Sequence, residues 1–441
     1  MASTRVSNGT STGVLLGLPE IDVTSFVAAW LLLVFAIPSS LVVGGFGAIG
    51  QPALLFSLIA PAWWLASRFV PSIQSDQDLQ PIRVALLLYL AYMVASFGFA
   101  GTRSLTRLEI DNSTRELIRL VSLTGLALLV ADGMRDLDRL RTLLARVALL
   151  AGAFAALGIA QFFTGEFLMP TPPWLSGQPP SVGTRAGFAR PLSTGRHPIE
   201  FAVVVAAMLP LSIHFLVYPR KRNRRVAATV GVILLVLAVP VSLSRTGIVS
   251  LAAALFVLGL GWSWRRRLNG LLLLLLLLPI ISAAIPGVLD AMAGLFTDLD
   301  QDGSIQARLS RTSAVMAIVR ERPWLGLGFG TWTSDGDFLL DNQVWFSLLE
   351  TGYVGITLTI LLPVLAAGLA IAPDNGPATT EETRHLGFAI AGSIAGLSIS
   401  MITFDAFFYR ILTSLLFLLI GAAGALWRFT RIQTAPESPG R

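Results

Sequence analysis

Long apolar runs separated by short polar segments make up most of this chain. Two of them, 268-LNGLLLLLLLLPIISAAI-285 and 385-HLGFAIAGSIAGLSISMITF-404, are long enough to cross a bilayer core of about 30 Å as α-helices. The runs do not alternate apolar and polar residues as the strands of a membrane barrel do. They predict twelve spanning helices, near residues 24–44, 47–67, 83–100, 115–131, 140–163, 198–218, 226–243, 246–263, 268–285, 343–373, 385–404 and 408–428.

The positions of the basic residues predict the direction of the spans. When every span is counted, the dense basic clusters fall on one side, which the positive-inside rule makes the cytoplasmic side. Both termini then lie in the cytoplasm, and no cleaved signal peptide is expected. The clusters are Arg68 with Arg83, Arg135 with Arg139 and Arg141, 220-RKRNRR-225, 265-RRR-267, Arg384, and Arg428 with Arg431.

The predicted fold class is an all-α integral membrane protein with about 12 transmembrane helices and two long external loops. A cytoplasmic N-terminal segment, 1–23, precedes the polytopic membrane domain 24–428, and 429–441 form a cytoplasmic tail. The external loops 164–197 and 286–342 are candidates for function, because long connections are more often functional or disordered than idle. A disordered loop is the alternative.

Composition supports the membrane assignment and excludes some chemistry. Hydrophobic residues form 54% of the chain and charged residues only 13%, against about 25% charged in soluble domains. Cysteine is absent, which excludes disulfides, a thiol nucleophile and cysteine metal sites. Among 32 basic residues only Lys221 is a lysine, a bias that arginine-favouring codons would also produce.

Several arginines lie on the predicted external side, where the positive-inside rule expects few. The stretch 190-RPLSTGRHPIEFAVVVAAMLPL-211 places Arg190, Arg196 and His197 at the mouth of a helix. A guanidinium group donates two parallel hydrogen bonds to phosphate and keeps its charge, so a lipid-linked pyrophosphate is the natural ligand. Snorkelling at the interface is the alternative for each residue. The other external arginines are Arg103, Arg107, Arg115, Arg185, Arg245, Arg308, Arg311 and Arg410.

His197 and Arg245 are the most informative members of this set. His197 can act as a general base or as a phosphate ligand, because its ordinary pKa is near neutrality. It can equally be a packed residue ahead of Pro198, and Glu200 can orient it or an arginine. Arg245 interrupts an apolar run, so a charge at that depth needs a partner.

A second polar group precedes the run 343–373, within 320-RERPWLGLGFGTWTSDGDFLLDNQVWFSLLETGYVGI-356. Asp341 and Asn342 lie where a helix N-cap belongs, and capping is the structural alternative to a role in substrate binding. Glu350 lies two turns further on, and a carboxylate inside an apolar span is a functional candidate. The glycines of 326-GLGFG-330 do not form a nucleotide loop, because neither a preceding strand nor a following lysine is present.

The stretch 298-DLDQDGSIQARL-309 resembles the opening of a calcium-binding loop, with carboxylates at alternating positions and Gly303 sixth. Its twelfth position is Leu309 instead of glutamate, so a solvated acidic turn is the alternative. The three histidines are scattered, and no other metal-ligand spacing occurs.

In order along the chain, RPLSTGRHPIEF, SLSRTG, SIQAR, RPWLGLGFG and LDNQVWFSLLETGYVG resemble the O-antigen ligase and O-antigen polymerase superfamily over residues 180–356. The resemblance implies a metal-independent, inverting glycosyltransferase of the bacterial plasma (inner) membrane. Its donor would be a polyprenyl-diphosphate-linked glycan. By this resemblance Arg190 and Arg245 hold the donor diphosphate, and Glu350 is the acidic residue of an E-x-G helix. Many ligases have a histidine as candidate base where this chain has Asp341.

The predicted function is transfer of a lipid-linked glycan to an acceptor hydroxyl on a glycan, lipid or protein at the external face, without a cofactor and without nucleic acid. A flippase or exporter of an anionic lipid-linked glycan is the alternative. We expect Asp341 and His197 to be catalytic. The predicted substrate-binding residues are Arg190, Arg196, Arg245, Arg308, Arg311, Asn342 and Glu350.

Overall fold

The computed structural model describes residues 22–69, 79–170, 172–178, 180–297, 303–333, 340, 342–372 and 380–432. At positions 48, 303–311 and 432 only the backbone is described. The described chain is mostly helical. The α-helices are α1 Val23–Ala36, α2 Pro52–Ser57, α3 Ile59–Phe69, α4 Pro81–Ala100, α5 Arg107–Gly133, α6 Leu137–Thr164, α7 Pro198–Val217, α8 Arg222–Val241, α9 Arg245–Leu260, α10 Trp264–Ala284, α11 Val288–Thr297, α12 Gly303–Glu321, α13 Gln343–Ile371, α14 Glu381–Ile399 and α15 Arg410–Ile432.

The strands are two-residue and three-residue pieces in the connections. Strand β1, Val42–Val43, pairs antiparallel with β2, Leu175–Ser176, and β3, Gly183–Arg185, pairs antiparallel with β4, Phe188–Arg190. Short 3-10 turns lie at Gly47–Ile49, Ser400–Ile402 and Ala406–Phe408. Each predicted apolar run contains at least one helix in the structure, which confirms a helical bundle.

Eight helices among the described residues are long and apolar enough to cross a membrane, namely α4, α6, α7, α8, α10, α13, α14 and α15. Two shorter apolar helices, Val23–Ala36 and Arg245–Leu260, accompany them. The structure thus supports a multi-pass membrane protein. The count of twelve spans stays a prediction.

The first two predicted spans differ most from the structure. In place of a helix over 24–44, α1 ends at Ala36, because Pro38 disfavours the helical conformation at the residue before it. In place of a helix over 47–67, the chain forms α2 and α3. Pro61 has no N–H to donate to the Ser57 carbonyl, which interrupts the helix there. Hydropathy is insensitive to both breaks, since the residues around them stay apolar.

The centre of the bundle consists of α7, α14 and α15. About four fifths of the apolar window of each lies inside the protein, whereas only 6% of the window of α10 does. Glycines allow the central helices to approach closely: a Cβ on Gly247 of α9 would overlap the Cβ of Ala202 of α7. The core thus fixes the positions at which these helices begin.

One end of the bundle collects the basic clusters that the sequence predicts to be cytoplasmic. Ion pairs join them to acidic residues of the same end, namely Arg68 with Asp132, Arg139 with Asp22, Arg220 with Asp138, and Arg266 with Glu381. Helix α7 leads from this end to the other over 20 residues, or about 30 Å. The segments around Arg190 and Trp332 lie at the far end.

Candidate active site

A cavity of about 990 Å³ lies at the end of the bundle away from the basic clusters. Helices α5, α7, α9 and α13 present their first turns to it, and residues 403–409 complete the wall. Helix N-termini carry partial positive charge, so several of them around one cavity favour an anion. The charged side chains and the histidine in its lining are Arg115, Glu116, Arg185, Arg190, His197, Arg245, Glu350 and Asp405.

A small hairpin presents two of the arginines. Strands β3 and β4 are joined by Ala186 and Gly187, both with positive φ, as a tight hairpin turn requires. Arg185 lies opposite Phe188, and Arg190 is two residues beyond Phe188, so both arginines are on one face of the hairpin. Arg185 and Arg190 therefore reach the cavity as neighbours.

Burial lowers the pKa of Arg190, and the positive charge of Arg185 lowers it further. Arginine still keeps its proton under these conditions. The Nε of Arg190 is buried and has no hydrogen-bond partner among the described residues. An anionic ligand would stabilise the two adjacent cations Arg185 and Arg190, and the Nε–H of Arg190 is available to donate a hydrogen bond to it.

The motif SLSRTG contributes Arg245 to the cavity lining from a different part of the chain. It forms the turn between α8 and α9, in which Leu243 has φ +46° and Ser244 caps α9 by accepting a hydrogen bond from the Gly247 N–H. Arg245 is the first residue of α9 and lines the cavity. Arg245 interacts with its surroundings, and its requirement for a charged partner stays a prediction.

His197 is the N-cap of α7, and its Nδ1 accepts a hydrogen bond of 3.1 Å from the Ile199 N–H. Burial lowers the pKa of His197, and Arg190 lowers it further. The ring is therefore neutral at physiological pH. Because Nδ1 is the acceptor, the proton of the neutral ring is on Nε2. A ring in this tautomer donates a hydrogen bond to a ligand and does not remove a proton from it.

Glu200 fastens the loop before α7 to another helix. Its carboxylate is fully buried and accepts hydrogen bonds of 2.8 Å from the backbone N–H groups of Arg196 and Ile411. These contacts hold the 190–197 segment beside the start of α15. In these two contacts Glu200 therefore orients backbone N–H groups.

Glu350 lies on the cavity face of α13, where a kink interrupts the helix. Gly352 has φ +65° and ψ −169°, a conformation that only glycine adopts readily. The buried carboxylate accepts a hydrogen bond of 3.0 Å from the Trp332 N–H. Gln343, Phe346 and Glu350 all line the cavity, as their helical spacing predicts.

The motif RPWLGLGFG supports this kink. The N–H groups of Leu327 and Gly328 donate to the carbonyls of Leu349 and Glu350, at 3.0 Å and 2.8 Å, and Tyr353 donates to Pro323. Side chains of α4 also bind here, since the Tyr92 hydroxyl donates to the carbonyls of Trp324 and Thr351. The glycine-rich turn is thus a backbone brace for Glu350, in agreement with the rejection of a nucleotide loop.

The segment 403–409 is also fixed from two sides. Gln343 accepts a hydrogen bond of 2.8 Å from the Phe407 N–H, and Arg119 of α5 donates to the Phe407 carbonyl and to Thr413. Arg119 in turn pairs with Glu116 at 3.3 Å. These bonds hold the Asp405 and Tyr409 region against the cavity.

A family model described as O-antigen ligase matches residues 230–360. This segment is less than a third of the chain, and it lies within and just beyond the residues 180–356 that resemble the O-antigen ligase and O-antigen polymerase superfamily by their motifs. A similarity to O-antigen ligase agrees with the multi-pass membrane protein that the long apolar helices support. No curated protein matches the chain with significant similarity.

The O-antigen ligase match contains Arg245 and Glu350 but ends short of other cavity residues. Arg190 and His197 precede it, and Asp405 and Tyr409 follow it. The fold brings these residues to the cavity from outside the matched segment.

Some of the site residues predicted from the sequence have other surroundings. The guanidinium of Arg196 lies 4.4 Å from the centre of the Phe408 ring and is not part of the cavity lining. Asn342 is the N-cap of α13: its Oδ1 accepts from Val344 and Trp345, and its Nδ2 donates to the Ile402 carbonyl. Asp341 lies outside the described residues, as do the side chains of Arg308 and Arg311.

Three cavity residues, Glu116, Asp405 and Tyr409, were not predicted from the sequence. Glu116 directly follows Arg115, one of the external arginines, and that proximity was the available signal. Asp405 had none, because it lies in a short connection between two apolar runs. Its place in the lining follows from contacts between helices that are distant in the chain.

No group of three His, Asp or Glu side chains suited to a metal ion occurs in the described part of the chain. The candidate calcium loop lies partly outside that part, and the side chains of its second half are also not described. Residues 298–302 are not described, and from Gly303 the backbone forms α12.

Proposed function

We propose that this protein transfers a glycan from a polyprenyl-diphosphate carrier to an acceptor hydroxyl at the external face of the bacterial plasma (inner) membrane. The observation that carries the proposal is the convergence of Arg185, Arg190, Arg245 and the Nε2–H of His197 on one cavity. These donors suit a diphosphate, and the similarity of residues 230–360 to O-antigen ligase supports a glycan as the transferred group.

The chemistry is an inverting displacement at the anomeric carbon. The acceptor oxygen attacks, the bond to the diphosphate breaks, and negative charge grows on the leaving phosphate. Arginines aimed at that phosphate stabilise the transition state more than the ground state, which raises the rate. In this proposal Arg190 and Arg245 bind the diphosphate and require no metal ion.

His197 binds donor phosphate through Nε2–H in this proposal, and the base is Asp341. Its chain neighbours support this role, because Leu340 and Gln343 both line the cavity. Glu350 is held by backbone hydrogen bonds and orients the wall at the reacting centre. The proposed role of Asp341 is to accept the acceptor hydroxyl proton.

The proposed orientation places the cavity outside and both termini in the cytoplasm, with twelve spans. The basic clusters at the opposite end support it, since basic residues favour the cytoplasmic side. The loops 164–197 and 286–342 then contribute the external wall.

Activity of reconstituted protein with a polyprenyl-diphosphate glycan tests the proposal. Lysine at Arg190 or Arg245 keeps the charge but loses the bidentate geometry, so we expect turnover to fall about tenfold to a thousandfold. Arg225→Lys, at the other end of the bundle, is the matched control and should transfer normally. Chelation of divalent metals should leave the wild-type rate unchanged.

Asp341→Asn separates the roles of the two candidate catalytic residues. This nearly isosteric change should abolish transfer and leave donor binding intact, whereas His197→Gln should raise the donor KM and leave turnover at saturation. Normal transfer by Asp341→Asn, with an inactive His197→Gln, would reverse the two assignments. Movement of intact donor across the bilayer without transfer would favour a flippase instead.

A further inference from the structure

A second cavity, of about 260 Å³, lies between α6 and α8 at the end where α7 turns into α8. Helix α6 contributes Arg141 here and Gln161 near the candidate active site, 20 residues or about 30 Å further along. The two cavities are therefore at opposite ends of the bundle. We call this second cavity the α6–α8 groove.

Helices α6 and α8 contribute apolar and mostly small side chains to the walls of the groove, namely Ala145, Ala148, Leu149, Ala227, Ala228 and Gly231. The rest of the lining, apart from arginines, consists of Thr142, Ser212, Phe215, Tyr218, Pro219 and Glu382. The groove narrows where the two helices meet, since a Cβ on Gly152 would lie 3.2 Å from the Cα of Gly231. A Cβ on Gly231 itself would meet nothing within 4 Å, so this position faces open space.

Four arginines form the rim, and two of them have protein partners. Arg141 lies 3.5 Å from Glu382, and Arg220 pairs with Asp138. The other two, Arg146 and Arg224, are exposed, and their side chains form no hydrogen bond or ion pair with any described residue. The rim therefore holds two cations whose charge the described protein does not neutralise.

Arg146 is unusual because it lies within an apolar stretch of α6. It lies ten residues, or about 15 Å, beyond the Asp136 cap of α6, within a helix whose apolar window has a mean hydropathy of 2.1. A charge in such a position is costly unless an anionic partner accompanies it. Arg224, on the facing helix α8, lines the same groove.

We propose that the α6–α8 groove binds the headgroup phosphate of an anionic phospholipid between Arg146 and Arg224. Basic pockets between membrane helices bind such headgroups. The groove is smaller than the roughly 300–1,000 Å³ of pockets that enclose whole ligands, so the acyl chains leave it. Leu149, which is 60% exposed, offers them an apolar surface next to the groove.

The apolar walls favour a lipid over free phosphate, because free phosphate has no apolar surface to pack against them. The neighbouring run 220-RKRNRR-225 also attracts an anionic membrane surface, but without a defined geometry. Binding in the groove depends on Arg146 and Arg224, whereas the diffuse attraction depends on the total charge of the run 220–225. Variants of different arginines can therefore distinguish the two kinds of binding.

The test is titration of the purified full-length protein in mild detergent with phosphatidylglycerol, followed by native mass spectrometry. Each basic residue near an anionic headgroup contributes about fivefold, so Arg146→Gln with Arg224→Gln should weaken binding about thirtyfold. Arg222→Gln with Arg225→Gln removes equal charge from the same end but not from the groove, and should leave the affinity unchanged. Gly231→Leu fills the groove without changing charge and should also weaken binding.

Phosphatidylcholine and inorganic phosphate complete the test. Neither should compete with phosphatidylglycerol at equal concentration. Equal losses in the two arginine pairs would show diffuse attraction and overturn the proposal, as would full binding by Gly231→Leu. Competition by inorganic phosphate would identify a free-phosphate site instead. Transfer activity in neutral lipid should be normal in all these variants, because their positions are remote from the candidate active site.

Discussion

At the scale of single residues, hydrogen bonding decides the role of His197. The sequence left base, phosphate ligand and packed N-cap open for this side chain. In the structure it caps α7 through Nδ1, which leaves Nε2–H for a ligand. The cap and the ligand role are therefore compatible, and the base role is disfavoured by the tautomer.

The lowered pKa of His197 predicts a pH dependence of stability. Its folded pKa lies below the ordinary value of about 6.5, so the unfolded chain binds the proton first as the pH falls. Stability from this residue is complete above about pH 6.5 and decreases as the pH falls toward the folded pKa. His197→Asn keeps a capping oxygen and does not titrate.

Thermal unfolding of the wild type and of His197→Asn, measured between about pH 5 and 8, tests this dependence. On acidification, the melting temperature of the wild type should decrease more than that of the variant. The other two histidines are present in both proteins, so the difference between the curves reports His197. Parallel curves would contradict the lowered pKa.

At the scale of single elements, the kink in α13 explains two glycine motifs that are far apart in the chain. Gly352 breaks the helix, and the turn 326–330 supplies N–H groups to the carbonyls that the break leaves open. Neither motif is interpretable alone. Together they fix the backbone on both sides of Glu350.

Alanine at Gly352 should therefore destabilise the protein. The backbone there suits glycine only, at a cost of about 1–3 kcal/mol for another residue, and the added Cβ would overlap the Trp324 carbonyl oxygen. Gly368→Ala is the matched control in the same helix, where a Cβ meets nothing within 4 Å. It should be neutral or stabilise by up to about 1 kcal/mol.

In Gly352→Ala, both the melting temperature in detergent and the rate of glycan transfer should fall. In Gly368→Ala, neither should fall. Equal melting temperatures for the two variants would show that the kink carries no strain that alanine cannot accommodate.

At the scale of the whole molecule, charge is divided between two ends. One end carries most of the ion pairs, and the other carries the cavity with Arg190 and Arg245. This division is what a fixed orientation in the membrane requires.

Cysteine labelling tests the orientation, because the chain has no native cysteine. In intact cells an impermeant thiol reagent should label Ser181→Cys and Ser304→Cys, in the predicted external loops. Asn223→Cys, on the basic end, should react only after the cells are opened. Labelling of Asn223→Cys with protection of the other two would invert the topology.

The sequence by itself determined the class of the fold and part of the site. Length and hydropathy of the apolar runs require helices in a membrane, because a spanning backbone must satisfy its own hydrogen bonds. The motifs around Arg190, Arg245 and Glu350 identified residues that the structure brings to one cavity. These features depend on local residue type and spacing, which a sequence displays directly.

Only the tertiary structure decided which polar residues face that cavity. In the structure Arg196 packs on the Phe408 ring and Asn342 caps α13. Glu116 and Asp405, which the sequence did not predict, line the cavity. The tertiary structure also replaced the first two long helices by shorter ones, because proline breaks a helix without changing its hydropathy. A side chain's direction depends on packing between helices that are hundreds of residues apart, and hydropathy carries no information about those contacts.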